Sequence, residues 1–119
     1  MSKLKGGNFL TDETDPRDVF ISEEFTEEQI MIGEMVQEFC IKEIQEPQIK
    51  SGKELSAITD GDKIVDLLER SAELGLCGVA IEEKHGGMDL DFNTGLIFSE
   101  KVAYGLSFAT TIGAQTSIG

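Results

Sequence analysis

The stretch Val102–Gly119 (VAYGLSFATTIGAQTSIG) contains no charged residue, in a chain that is 28% charged. That contrast restricts what the chain can fold into. The stretch is too rich in Gly, Ala, Ser and Thr to span a bilayer, which calls for a long run of large apolar residues. An ordinary surface helix is also ruled out, because one face would be polar and charged. What remains is a helix buried on most sides, or one that lines a cavity, where small residues admit a second backbone or a ligand. With no element after Gly119 to cover it, the stretch is expected to belong to a larger fold.

The residues before it supply a helical support. Phe25-Thr26-Glu27-Glu28-Gln29-Ile30 has the form of a helix start. Thr26 and Gln29 form a capping box, Phe25 can staple onto Ile30, and Glu27 and Glu28 suit the positive end of the helix dipole. Apolar residues at Ile32, Met35, Val36, Phe39, Cys40 and Ile44 keep helical spacing, and Pro47 is expected to end the helix. A second helix is predicted from Thr59 or Asp60, with Ile64, Leu67, Leu68, Ser71, Ala72 and Leu74 on one face and Gly75 as a left-handed stop. These two helices are expected to pack antiparallel. Leu76–Ile81 reads as a short, buried, extended connector, followed by a turn at Gly86-Gly87. A third helix is capped by Asp91 or Asn93 and ends at Gly105, and the uncharged helix begins near Ser107. The predicted class is all-α, about four helices with one extended connector. Residues 1–24 are read as an N-terminal arm and 25–119 as the helical domain.

Charge and residue types exclude several functions. With 10 Lys+Arg against 23 Asp+Glu, the net charge of −13 disfavours nucleic acid and anionic membranes as partners. Cys40 and Cys77 make neither a disulfide framework nor a metal set, so reduced, buried thiols are expected. The N-terminus has neither an apolar signal core nor an Arg-rich transit pattern, so a cytoplasmic protein without a transmembrane segment is expected. His85 is the only histidine and stands in a turn between Lys84 and Gly86. It supports neither a His-based metal site nor a Cys-His dyad. Adjacent Glu82 and Glu83 would point opposite ways on an extended segment, so they do not make an acid/base pair. Residues 113–119 match neither a dinucleotide fingerprint nor a P-loop.

Four blocks carry a resemblance to the acyl-CoA dehydrogenase family: Ala72–Gly87 (AELGLCGVAIEEKHGG), Leu90–Thr94 (LDFNT), Phe98–Gly105 (FSEKVAYG) and Gly113–Gly119 (GAQTSIG). The chain is most similar to the very-long-chain branch, whose members carry a comparable Gly-Ala…Ser-Ile-Gly ending. It departs from the family pattern at Glu82, His85 and Asp89, where Pro, Tyr and Gly are usual. These departures bear on the rigidity of the turn and touch no catalytic group. The resemblance implies the N-terminal helical domain of an FAD enzyme, incomplete without a following β-domain and second helical domain. That enzyme would oxidise the α,β-bond of acyl-CoA in fatty-acid β-oxidation. It further implies an electron-acceptor flavoprotein as partner and a homo-oligomer.

In that family the catalytic base and most flavin contacts lie beyond residue 119, so none of these residues is catalytic and the chain alone should be inactive. The helix matching Ser107–Ile118 lines the distal acyl tunnel. Positions where medium-chain members carry Gln and Glu fall on Ala109 and Gly113, or one residue later on Thr110 and Ala114. In either register, small residues at i and i+4 imply a deeper tunnel. The alternative is that they serve helix packing alone. A reading from a different class, a non-catalytic acidic helical module that buries its uncharged helix against a partner protein, is set against the enzyme.

Overall fold

A computed structural model of the chain describes Leu4 and residues 6–118. Residues 1–3 and 5 of the expected arm, and Gly119 at the end of the last block, lie outside the described residues. The elements are α1 (Glu27–Cys40), α2 (Glu46–Lys50), α3 (Gly61–Glu73), α4 (Phe92–Val102) and α5 (Phe108–Ser117). Because a π-helical turn, Ile41–Gln45, joins α1 to α2, the chain folds as four helical rods, and no strand occurs among the described residues. The described part of the arm makes three short 3-10 turns and is mostly exposed.

The first rod starts as its sequence dictates. The Thr26 hydroxyl accepts from the Gln29 N–H at 3.2 Å, and the Gln29 side chain accepts from the Thr26 N–H at 2.9 Å. Contrary to expectation, Pro47 does not end it. In the wide turn the Glu46 N–H reaches back to the Ile41 carbonyl, so Pro47 falls in the first turn of a fresh α segment. There its missing N–H costs no ladder bond. The rod continues to Lys50.

The expected antiparallel pairing of the first two long helices is not the main one. Instead α4 packs along α1, and the two run parallel: Gln29 meets Asp91, Gly33 meets Ile97, and Cys40 meets the Val102 carbonyl. Gly33 makes this possible, since a Cβ there would stand 2.9 Å from Ile97 Cγ1. Meanwhile α3, capped by Asp60, meets the far end of the rod, where Arg70 pairs with Glu43 and Leu67 enters the core.

The connector Leu76–Ile81 is not extended. Gly75 turns the chain at φ +78°, and Leu76–Gly78 coils into a 3-10 turn. Among the described residues no strand offers it a ladder, so its carbonyls are satisfied locally and by the returning segment. Met88 N donates to Gly78 O at 2.8 Å, Asp89 N to Ile81 O at 2.8 Å, and Leu90 N to Val79 O at 2.9 Å. Within that loop Gly87 is required sterically, because a Cβ would lie 2.0 Å from the Ile81 oxygen.

One core joins the rods: Val36, Phe39, Cys40 and Ile44 from the first, Leu67 from α3, Leu76 and Val79 from the connector, Phe98 and Val102 from α4, and Phe108 and Ile112 from α5. Full burial of each large apolar side chain contributes about 1.5–3 kcal/mol. Within that core, burial pushes the Cys40 thiol up to about 11, which keeps it protonated, whereas Cys77 is half-buried.

Candidate functional site

Between α4 and α5 lies a groove of about 740 Å³. Phe92, Gly95, Leu96 and Ser99 of α4 form one wall, and Ala109, Thr110, Gly113 and Thr116 of α5 form the other. Its floor consists of the core side chains Leu76, Val79, Phe98 and Val102. Phe92 is 80% exposed and Leu96 46%, so a large apolar rim stands open to whatever occupies the groove. Such concave, mostly apolar clefts with a few polar groups are the usual setting for small-molecule binding.

The last turn of α4 and the start of α5 are locally determined. The first of these continues as a 3-10 turn, Ala103–Gly105, packed so closely that a Gly105 Cβ would sit 3.2 Å from Cys40 Sγ. Leu106 then takes φ +57°, ψ −129°, a costly conformation for a branched residue, and reverses the chain. The Ser107 hydroxyl accepts from the Ile58 N–H at 2.8 Å, tying the start of α5 to the segment before α3.

Asp91 sits at the mouth of the groove and caps α4. Its Oδ1 accepts from the Thr94 N–H at 2.9 Å and from the Thr94 hydroxyl, and its carboxylate accepts from Gln29 Nε2 at 3.2 and 3.3 Å. The bonds from the Thr94 side chain and backbone, with that from Gln29, hold its carboxyl below the usual range. The carboxylate therefore lies beside two helix N-termini, both of which favour its charge.

Of the four residues proposed from sequence, the structure brings three together. Ala109, Thr110 and Gly113 line the groove. Ala114 is exposed on the other side of α5, in a shallower depression with Leu68, Thr111, Gln115 and Ile118. Ala109 and Gly113 thus share the groove wall as an i, i+4 pair, whereas Thr110 and Ala114 do not. The opposite wall escaped sequence reading. Its signal is a second, largely apolar face that runs through Phe92, Leu96 and Ser99 of α4 to Ala103 in the 3-10 turn after it, beside the buried face that holds Ile97, Phe98 and Val102. His85, Glu82 and Glu83 are exposed in the connecting loop, away from the groove lining.

The groove has no basic side chain in its lining, and its one titratable group is the anionic Asp91. It does not fit a diphosphate. A second groove, between α1 and α4, offers Lys42 and Lys101 but opposes them with Glu34, Glu38, Glu46 and Glu100. These residues therefore do not form a dinucleotide-cofactor site by themselves. Among the described residues, no helix is long and apolar enough to cross a membrane.

The fold and groove define a class: an all-helical domain whose last helix presents small residues to an open apolar cleft. Residues 26–119 match the family model for the acyl-CoA dehydrogenase N-terminal domain, and the chain belongs to that family. A probable acyl-CoA dehydrogenase of Bacillus subtilis (strain 168) is 30% identical over 115 residues, covering 97% of this chain and 18% of that protein. The crystal structure of an acyl-CoA dehydrogenase complexed with FAD from Bacillus anthracis superposes with a TM-score of 0.80 at 34% identity, covering 98% of this chain and 19% of that one. The chain thus spans about a fifth of the length of these relatives.

Proposed function

We propose that this chain is the N-terminal part of an FAD-dependent acyl-CoA dehydrogenase that oxidises long-chain acyl-CoA in β-oxidation, and that its α4–α5 groove receives the distal acyl chain. Residues 1–24 act as an arm and 25–119 as the domain. FAD, the catalytic base and the coenzyme A contacts come from other parts of the enzyme, which works as a cytoplasmic homo-oligomer and passes electrons to a flavoprotein acceptor. The likeness to an FAD-bound relative supports the cofactor. A single observation carries the chain-length reading: Ala109 and Gly113, both small, share the wall of an apolar groove. Their placement favours that pair over Thr110 and Ala114 as the gauge of depth, and it supports the very-long-chain branch.

The test is Gly113→Leu in the whole enzyme. A Cβ at Gly113 meets no described atom within 4 Å, so the added side chain enters open space and the helix is not disturbed. Leucine adds four carbons, and each methylene displaced from burial forfeits roughly 0.8 kcal/mol. The preferred acyl chain should shorten by roughly three to four carbons, with a loss of roughly 3 kcal/mol, or about a hundredfold in kcat/KM, for the longest chains. An unaltered chain-length ranking would remove the groove from the substrate path.

A further inference from the structure

The groove wall made by α5 is fixed from outside the groove, at the reversal that precedes it. Leu106 holds φ +57° and ψ −129°, a region that suits glycine, and a residue so placed persists only where its surroundings hold it. Two side-chain bonds grip the backbone on either side of it. Before it, Gln45 Nε2 donates to the Tyr104 carbonyl at 2.7 Å. After it, the Ser107 hydroxyl accepts from the Ile58 N–H at 2.8 Å.

Gln45 reaches that carbonyl from the π-helical turn Ile41–Gln45, which it closes; such a turn is wider than a regular one and re-aims the side chains in it. Ile44, the residue before it, is fully buried, and a Cβ on Gly105 would stand 3.4 Å from Ile44 Cδ1. The end of the π turn therefore meets the Ala103–Gly105 turn twice, by packing and by a hydrogen bond. The Tyr104 carbonyl lies where the α4 rod ends, and the last carbonyls of a helix have no donor within it. Gln45 itself lines neither the groove nor the core. One hydrogen bond and the strain of one residue in a sparsely populated region are of similar size, so loss of the bond lets the reversal relax. Relaxation there rotates α5, and with it the wall that Ala109 and Gly113 form.

We propose that Gln45 is a positioning residue for acyl-chain selection: from the α1 rod, through the Tyr104 carbonyl, it sets the rotation of α5 and hence the depth of the groove. The proposal rests on the reading of the groove as the acyl site.

The experiment compares the intact holoenzyme with its Gln45→Met variant, which keeps the length but has no donor, and its Gln45→Lys variant, which keeps a donor. The readout is the ratio of kcat/KM for octadecanoyl-CoA to that for decanoyl-CoA, which a merely stabilising contact would not move. Gln45→Met should lower the ratio about three- to tenfold, the effect of one hydrogen bond, and Gln45→Lys should keep it near the parent value. Amide exchange over residues 106–110 of the folded enzyme should quicken in Gln45→Met, with residues 31–40 unchanged. A ratio unaltered in Gln45→Met, or lowered equally in both variants, overturns the proposal. So does a Gln45→Met enzyme that fails to fold, since the bond would then support the whole domain. Gly113→Leu, assayed alongside, separates the two readings. If it shortens the preferred chain while Gln45→Met leaves the ratio unaltered, the groove reading stands and the Gln45 proposal falls. If it leaves chain-length preference unchanged, both fall.

Discussion

Asp91 is the side chain on which the parallel pairing of α1 and α4 most visibly depends, and Asp91→Ala should measure that dependence. The substitution removes an N-cap acceptor from the Thr94 N–H, worth about 1 kcal/mol. It also deprives Gln29 Nε2 of its partner; Gln29 is only 9% exposed, so water restores that bond incompletely. A buried donor left without an acceptor costs about 1–3 kcal/mol, and partial hydration places this one at the low end. The expected loss is about 1.5–2.5 kcal/mol, read as a lowered midpoint in urea with unchanged slope. Asp91→Asn, which keeps the cap oxygen, should lose only a few tenths. In a double-mutant cycle, Asp91→Ala and Gln29→Ala should couple by at least about 0.5 kcal/mol. The pH dependence has a definite sign. Because Thr94 and Gln29 lower the folded-state pKa of Asp91, its contribution is complete above the unfolded value of about 3.9 and is lost as pH falls through the folded one. The gap between parent and Asp91→Ala should therefore narrow in acid below about pH 4. Independent effects of the two single substitutions, with no coupling, would refute the bridge between the helix starts.

Two further substitutions test backbone and packing. Gly33→Val forces branched carbons against Ile97 Cγ1, already 2.9 Å from a notional Cβ, and should cost about 1–3 kcal/mol by thermal or urea unfolding. Ile97→Val in the same chain should recover part of that, and no recovery would mean the clash lies elsewhere. Asp89 holds φ +49°, a conformation that glycine adopts without the Cβ penalty, so Asp89→Gly should stabilise by about 0.5–1 kcal/mol. A loss of stability would show that its side chain contributes more than its backbone strain costs.

Local chemistry made most of the helical framework legible. The Thr26/Gln29 box, the Asp60 and Asp91 caps, and the left-handed Gly75 all stand where residue type and spacing put them. The failures occurred where a local rule met a non-local partner. Pro47 marks a helix end only if the helix before it is regular, and the π-helical turn at Ile41–Gln45 gives it a fresh start. The apolar run Leu76–Ile81 suggests an extended segment by length and flanks. Its backbone is satisfied instead by turns and by residues 88–90, a pairing no local pattern encodes. Adjacency in sequence suggests pairing of the first two long helices, whereas Gly33 lets α4 approach α1 closely instead.

The uncharged stretch shows the same division at the candidate site. Its composition suits a helix that lines a cavity, and α5 lies between two depressions, Gly113 lining one and Ala114 the other. Composition treats those neighbours alike, and only the fold separates them. The separation follows from Leu106: its left-handed turn, with Ser107 bonded to Ile58, sets the rotation at which α5 leaves the core. Phe108 and Ile112 then point inward, and Ala109 and Gly113, one position later in the turn, fall on the groove side. One strained residue therefore determines which small side chains line the groove.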